Sequence, residues 1–150
     1  MLEAPHAYVH KLTVVDSDVD VLGHASNLVY LRWVQDAALA HSEAVGLGMN
    51  DYKELGGVFV VTRHEVDYLR PAFRGEALRV RTEVVSMSSA QSVRETAIVR
   101  ESDDVVLAKA RTTWGYVQLE SLRPARIPEN VSEKFGNVPR VLPRRPSNAP

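Results

Sequence analysis

The feature that most constrains this chain is the segment NLVYLRWVQDAALAHSEAV, residues 27–45. It has no proline or internal glycine, and Gly46 follows it as a stop signal. A helix of this span is about 30 Å long at 1.5 Å per residue. Its first half, Leu28, Val29, Tyr30, Leu31, Trp33 and Val34, is apolar nearly all round. Such a helix is normally buried rather than laid on a surface, so the rest of the chain must wrap it. With 150 residues, 45% of them hydrophobic and 25% charged, there is enough chain for one domain with a substantial core.

The flanking sequence supplies the wrapping. Residues 6–15, HAYVHKLTVV, read as a strand. After a possible helical turn at 50–55, ended by Gly56-Gly57, come four β-rich segments at 58–69, 78–86, 90–100 and 105–119. Their separators are too short for parallel crossovers, so neighbouring strands are antiparallel. The last segment alternates, with Ala108, Ala110, Thr112, Trp114 and Tyr116 on one face and Lys109, Arg111 and Thr113 on the other. The predicted class is α+β: a long central helix wrapped by a curled five-stranded antiparallel sheet. The outer sheet face and the edges also need cover, so a homo-oligomer (dimer or tetramer) is expected. The domain is expected over 1–130. A proline- and arginine-rich tail follows at 131–150, its last dozen residues mobile.

Composition excludes several classes of function. A formal net charge of −1 gives no field to attract nucleic acid or an acidic membrane. The Arg144-Arg145 pair is read as part of a solvated tail. The absence of cysteine removes disulfides, thiolate nucleophiles and cysteine-held zinc. No signal peptide and no bilayer-length apolar run is visible, so a cytoplasmic protein without a membrane partner is expected. The five histidines lack metal-ligand spacing, no metal or other cofactor is expected, and no GxSxG elbow is present. His64 is read as a core or interface histidine before a pocket residue.

Between the first strand and the helix lies VVDSDVDVLGHASN, residues 14–27. Asp16, Asp18 and Asp20 match positions 1, 3 and 5 of a calcium loop. Val21 stands where that loop needs glycine, and Asn27 where it needs a bidentate glutamate. Calcium binding is therefore rejected. By local composition the stretch is a turn in which Ser26 or Asn27 caps the helix. Asp20, just ahead of an apolar helix, is expected to be partly desolvated, and the helix start offers unpaired N–H groups. A carboxylate beside such donors is the minimum equipment for attacking a carbonyl and holding its oxyanion.

DVDVLGHASNLVYL (18–31) resembles the DTDxxGHVNNxxYL signature of hotdog-fold acyl-CoA thioesterases, the 4-hydroxybenzoyl-CoA thioesterase-like family. VTRHEVDYLRPAFRGEALRVRTEVV (61–85) is similar to that family's second strand, turn and third strand, and VQDAALAHSEAVGL (34–47) to a helix of plant acyl-ACP thioesterases. The resemblance spans roughly 8–130. It implies a hotdog fold, homodimers or tetramers with sites at subunit interfaces, and hydrolysis of an acyl-CoA or acyl-carrier-protein thioester. By position, Asp20 matches the catalytic carboxylate, acting as general base or nucleophile. Asn27 falls at the helix start whose N–H polarises the carbonyl, and His24 serves positioning or proton transfer. Gly23 lets the turn approach substrate. Tyr30, with Val61, Thr62 and Arg63 of the second strand, is expected to bind substrate. Asp16 and Asp18 are left as solvated turn residues. The chain departs from the pattern at Ser26, at Gln35, where glutamate is frequent, and at SMSSA (86–90), where some relatives carry a basic CoA-gripping cluster. Either other groups such as Arg63, Arg70 or Arg74 grip CoA, or the carrier is not CoA. The alternatives are a non-catalytic acyl-binding hotdog protein and a hotdog hydratase or dehydratase.

Overall fold

The computed structural model describes residues 6–136. In chain order they form β1 (Tyr8–Thr13), a 3-10 turn (Asp16–Asp18), α1 (Asn27–Ala44), α2 (Met49–Leu55), β2 (Gly57–Tyr68), β3 (Ala77–Met87), β4 (Gln91–Arg100), β5 (Val106–Gln118) and α3 (Glu129–Lys134). The strands make one antiparallel sheet in the order β1-β3-β4-β5-β2, and α1 packs on its inner face. This is the helix-in-curled-sheet arrangement expected from the sequence. One-residue register shifts interrupt β2 at Val61/Arg63, β3 at Val84/Ser86 and the β4–β5 pair at Ile98/Val99. Each inserts an extra residue that bends its strand and helps the sheet curl around the helix.

α1 buries a single stripe. Val29, Tyr30, Trp33, Val34, Ala37, Ala38, His41 and Ser42 recur at helical spacing and face the sheet. Leu28 and Leu39 on the far side are 77% and 58% exposed, so the first half is not enclosed on all sides by its own chain. One curled sheet reaches only one side of a cylinder. Ser26 caps the helix, its Oγ accepting from Val29 N at 3.3 Å.

Two apolar clusters fill the interior. The first joins the early half of α1 to Val14, Leu78, Val80, Ile98, Leu107 and Ala108. The second joins Leu47, Tyr52, Val84, Met87 and Tyr116 to Ile127, Val131 and Phe135. The boundary expected at 130/131 thus cuts through α3, because Val131 and Phe135 are buried beneath the sheet end. The remainder of the expected tail, with Arg144-Arg145, lies outside the described residues. The outer sheet face needs no cover: Lys109, Arg111, Glu95, Arg81 and Glu83 lie on it, and Arg111 pairs with Glu95 at 2.8 Å. Among the described residues no helix is long and apolar enough to cross a membrane.

Leu107 is the extra residue of the β4–β5 shift and is fully buried in the first cluster. Leu107→Ala should destabilise the fold by about 2–5 kcal/mol, read as a lower denaturant midpoint.

Candidate active site

The turn from Val14 to Asn27 is held by its own polar groups, and its three aspartates have different surroundings. Asp16 is exposed and pairs with Arg74 Nε at 2.7 Å. Asp18 is 3% exposed, accepts from Val15 N at 2.9 Å and pairs with Arg32 of α1. The expectation of a solvated Asp18 is therefore wrong. The 3-10 turn points its carboxylate inward, where a cation on α1 compensates it.

Asp20 is the reverse case. It lies exposed on the turn, not desolvated by its own chain, because the apolar stripe of α1 faces the sheet and not the turn. Its Oδ1 accepts from Leu22 N at 2.9 Å and His24 N at 3.4 Å, and its N donates to His24 O at 2.8 Å. Oδ2 has no partner among the described residues. Gly23 closes this ring at φ +80 with no atom within 4 Å of a built Cβ, so the left-handed backbone itself calls for glycine there. Beyond the ring, the backbone N–H groups of Asn27 and Leu28 have no acceptor among the described residues, as expected for the first turn of a helix.

His24, Asn27 and Tyr30 line one cleft of about 210 Å³ with Tyr68, Leu69 and Arg70. The His24 ring stands edge-on to Phe73, centroids 5.0 Å apart. Tyr30 donates its hydroxyl to Arg70 O at 2.8 Å and stacks on Tyr68 at 5.5 Å, so it is core and cleft wall at once. Val61, Thr62 and Arg63 are not on this cleft. They sit at the β2 bulge, where Thr62 Oγ1 donates to Thr113 O at 3.2 Å and Arg63 pairs with Glu65 at 2.6 Å. His64 is half-buried and has a partner at each ring nitrogen, with Nδ1 2.9 Å from Thr112 Oγ1 and Nε2 3.4 Å from Gln35 Nε2. Burial lowers its pKa.

A second, more apolar cavity of about 250 Å³ lies at the other end of α1, against α2, β2, β4, β5 and Phe135. Sequence reasoning passed over its one buried cation, Arg94, and the neighbouring His41. The signal was present in β4, where Ser92, Arg94, Thr96 and Ile98 share a parity and all are buried. Burial, then the Arg94 charge, pushes the His41 pKa down from 6.5 to about 4.

A thioesterase-like superfamily model matches residues 14–135. The chain belongs to that superfamily. Protein THEM6 of Danio rerio is 32% identical over 91 residues, a stretch that spans 61% of this chain and 45% of that relative's own length. A 1,4-dihydroxy-2-naphthoyl-CoA thioesterase from Synechocystis superposes with a TM-score of 0.80 at 17% identity, covering 87% of this chain and 96% of that one. The Staphylococcus aureus protein SAV2348, solved in complex with CoA, gives 0.81 at 16% identity, covering 94% and 90%. At such identities the superpositions establish the hotdog fold.

His41 also makes the stability of this superfamily member depend on pH. Its folded pKa of about 4 lies below its usual 6.5, so between those values the unfolded chain binds more protons. Its contribution to stability is complete above pH 6.5 and is lost as pH falls toward 4. Urea midpoints should decline across that window, and His41→Asn should flatten the decline.

Proposed function

We propose that this chain hydrolyses an acyl thioester, with Asp20 as the carboxylate that starts the reaction. The observation that carries the reading is the Asp20 carboxylate: one oxygen is tethered by two backbone N–H groups, the other has no partner among the described residues, and the helix that starts seven residues later has N–H donors unpaired among the same residues. As a base, Asp20 takes a proton from water while the water oxygen attacks the carbonyl carbon. As a nucleophile, it attacks directly and leaves a mixed anhydride for water to open. On either route the carbonyl electron pair moves onto oxygen, where the Asn27 and Leu28 N–H groups and the positive end of α1 stabilise it. The C–S bond then breaks and the departing thiolate takes up a proton. His24 keeps the turn in register through its backbone, and its ring on the cleft wall is assigned to positioning or to that proton transfer.

Coenzyme A is the favoured carrier, with acyl carrier protein the alternative. The Synechocystis neighbour acts on a CoA thioester and the S. aureus neighbour was solved with CoA. Of the arginines expected to grip a phosphate, Arg63 and Arg74 are committed to Glu65 and Asp16. Arg70 lines the cleft, is exposed and has no ion pair among the described residues.

A homodimer completes the site on this reading. β2 is a sheet edge, and exposed apolar side chains crowd the site turn: Val21, Leu22 and Leu28. The cleft touches β2 at Tyr68 and the apolar cavity touches it at Val58 and Phe59. Antiparallel pairing of two β2 edges would bring the cleft of one protomer to the cavity of its partner.

Asp20→Asn should lower kcat by about 10²–10⁴-fold with an unchanged melting temperature, because the side chain is exposed. Asp18→Asn should instead cost about 1–3 kcal/mol of stability, as a buried charged group loses its charge-assisted bonds. Undiminished hydrolysis of every accepted thioester by Asp20→Asn would overturn the assignment. For the dimer, Val60→Glu on the β2 edge should shift light-scattering mass to the monomer and lower turnover together.

A further inference from the structure

The cavity at the far end of α1 contains a cation without a counter-ion among the described residues. Arg94 is 4% exposed and lines it. Its Nη1 lies 2.8 Å from His41 Nδ1 and donates to Thr82 Oγ1 at 3.2 Å, while Cζ sits 5.7 Å from the centre of the Phe135 ring. Among the described residues its Nε and Nη2 have no acceptor and no carboxylate forms an ion pair with it. Glu43, also on the lining, is exposed and does not pair with it. His41 supplies no negative charge. Burial lowers the Arg94 pKa only to about 10, so the guanidinium is charged at neutral pH.

The surroundings make that charge hard to explain as structure alone. Leu39, Leu47, Met49, Val58, Phe59 and Phe135 give the cavity an apolar wall. Trp114, another lining residue, has its indole Nε1–H buried without an acceptor among the described residues. A cation taken out of water is costly unless an anion or several acceptors meet it. Nε and Nη2 lie on one edge of the planar guanidinium, the fork that donates to both oxygens of a carboxylate. A volume of about 250 Å³ leaves room for several methylenes beside such a group; a cavity of roughly 150 Å³ already takes benzene.

We propose that this cavity receives the far end of an acyl group that itself terminates in a carboxylate, held by Arg94, so that the substrate is the half-thioester of a dicarboxylic acid. The assignment of the occupant as an acyl tail rests on the thioesterase reading above and on the β2-edge homodimer proposed with it, which brings this cavity to the partner's cleft; the affinity of the cavity for a carboxylate does not.

Two measurements separate these. In the first, succinyl-, adipoyl- and suberoyl-CoA half-thioesters are compared with butanoyl-, hexanoyl- and octanoyl-CoA, following released thiol. At the best chain length the carboxylated substrate should have a kcat/KM at least about tenfold higher. Arg94→Met should collapse that ratio toward one, and Arg94→Lys should keep part of it. In the second, hexanoate and hexanamide are titrated calorimetrically into the wild-type protein, with the carboxylate expected to bind at least about tenfold more tightly and to lose that advantage in Arg94→Met. Selective carboxylate binding without hydrolysis of any thioester would leave the Arg94 site standing and sink the reaction reading. Hydrolysis with no preference for a carboxylated chain, or a preference that survives Arg94→Met, would overturn the present proposal and leave the reaction intact. Should Arg94→Met fail to fold, the wild-type comparisons still decide.

Discussion

The structure depends on the burial of one helical stripe. Val29, Tyr30, Trp33, Val34, Ala37 and Ala38 present a continuous apolar face that water disfavours, and a sheet of five strands is the surface that covers it. The bulges in β2, β3 and the β4–β5 pair follow from that demand, since a flat sheet would touch a helix along a line only. The site follows from it too. Once the stripe is fixed against the sheet, the start of α1, the turn before it and the Tyr68–Arg70 end of β2 are brought to one cleft.

The interior is not uniformly apolar, and its polar part is as ordered as the rest. Between the two hydrophobic clusters runs a belt in which Thr82 meets Thr96 at 3.0 Å, Arg94 meets His41 and Thr82, and His64 bridges Thr112 and Gln35. Buried networks of this kind hold a single arrangement because any shift leaves a donor or acceptor unmet. Here the belt reaches the wall of the far cavity through Arg94, and there the satisfaction of partners stops.

The three aspartates show how far local pattern can be trusted at a site. Their alternation in sequence made them look equivalent; the fold separates them by inclination alone. A single 3-10 turn sends Asp18 inward to Arg32 and leaves Asp16 and Asp20 outward. The tether on Asp20 comes from backbone N–H groups two and four residues on, contacts that Gly23 permits by taking a left-handed conformation.

The sequence by itself determined the α+β class, all five strands, the long helix and the motif at its start, because these rest on short-range signals. Such signals are hydrophobic period, turn residues and the spacing of DVDVLGHASN. Of the residues it singled out at that motif, His24, Asn27 and Tyr30, which flank the helix start, line one cleft, whereas Asp20 and Gly23 are not on its lining. Only the tertiary structure decided that Asp18 is buried and Asp20 exposed, that Val61, Thr62 and Arg63 sit apart from the cleft at a bulge, and that residues 131–135 close the core. Arg94 belongs in the same group: its strand parity was legible, but not that no counter-ion meets it among the described residues. Burial and charge compensation are set by contacts between residues remote in sequence, such as Arg94 with His41 and Phe135, and no local pattern encodes those.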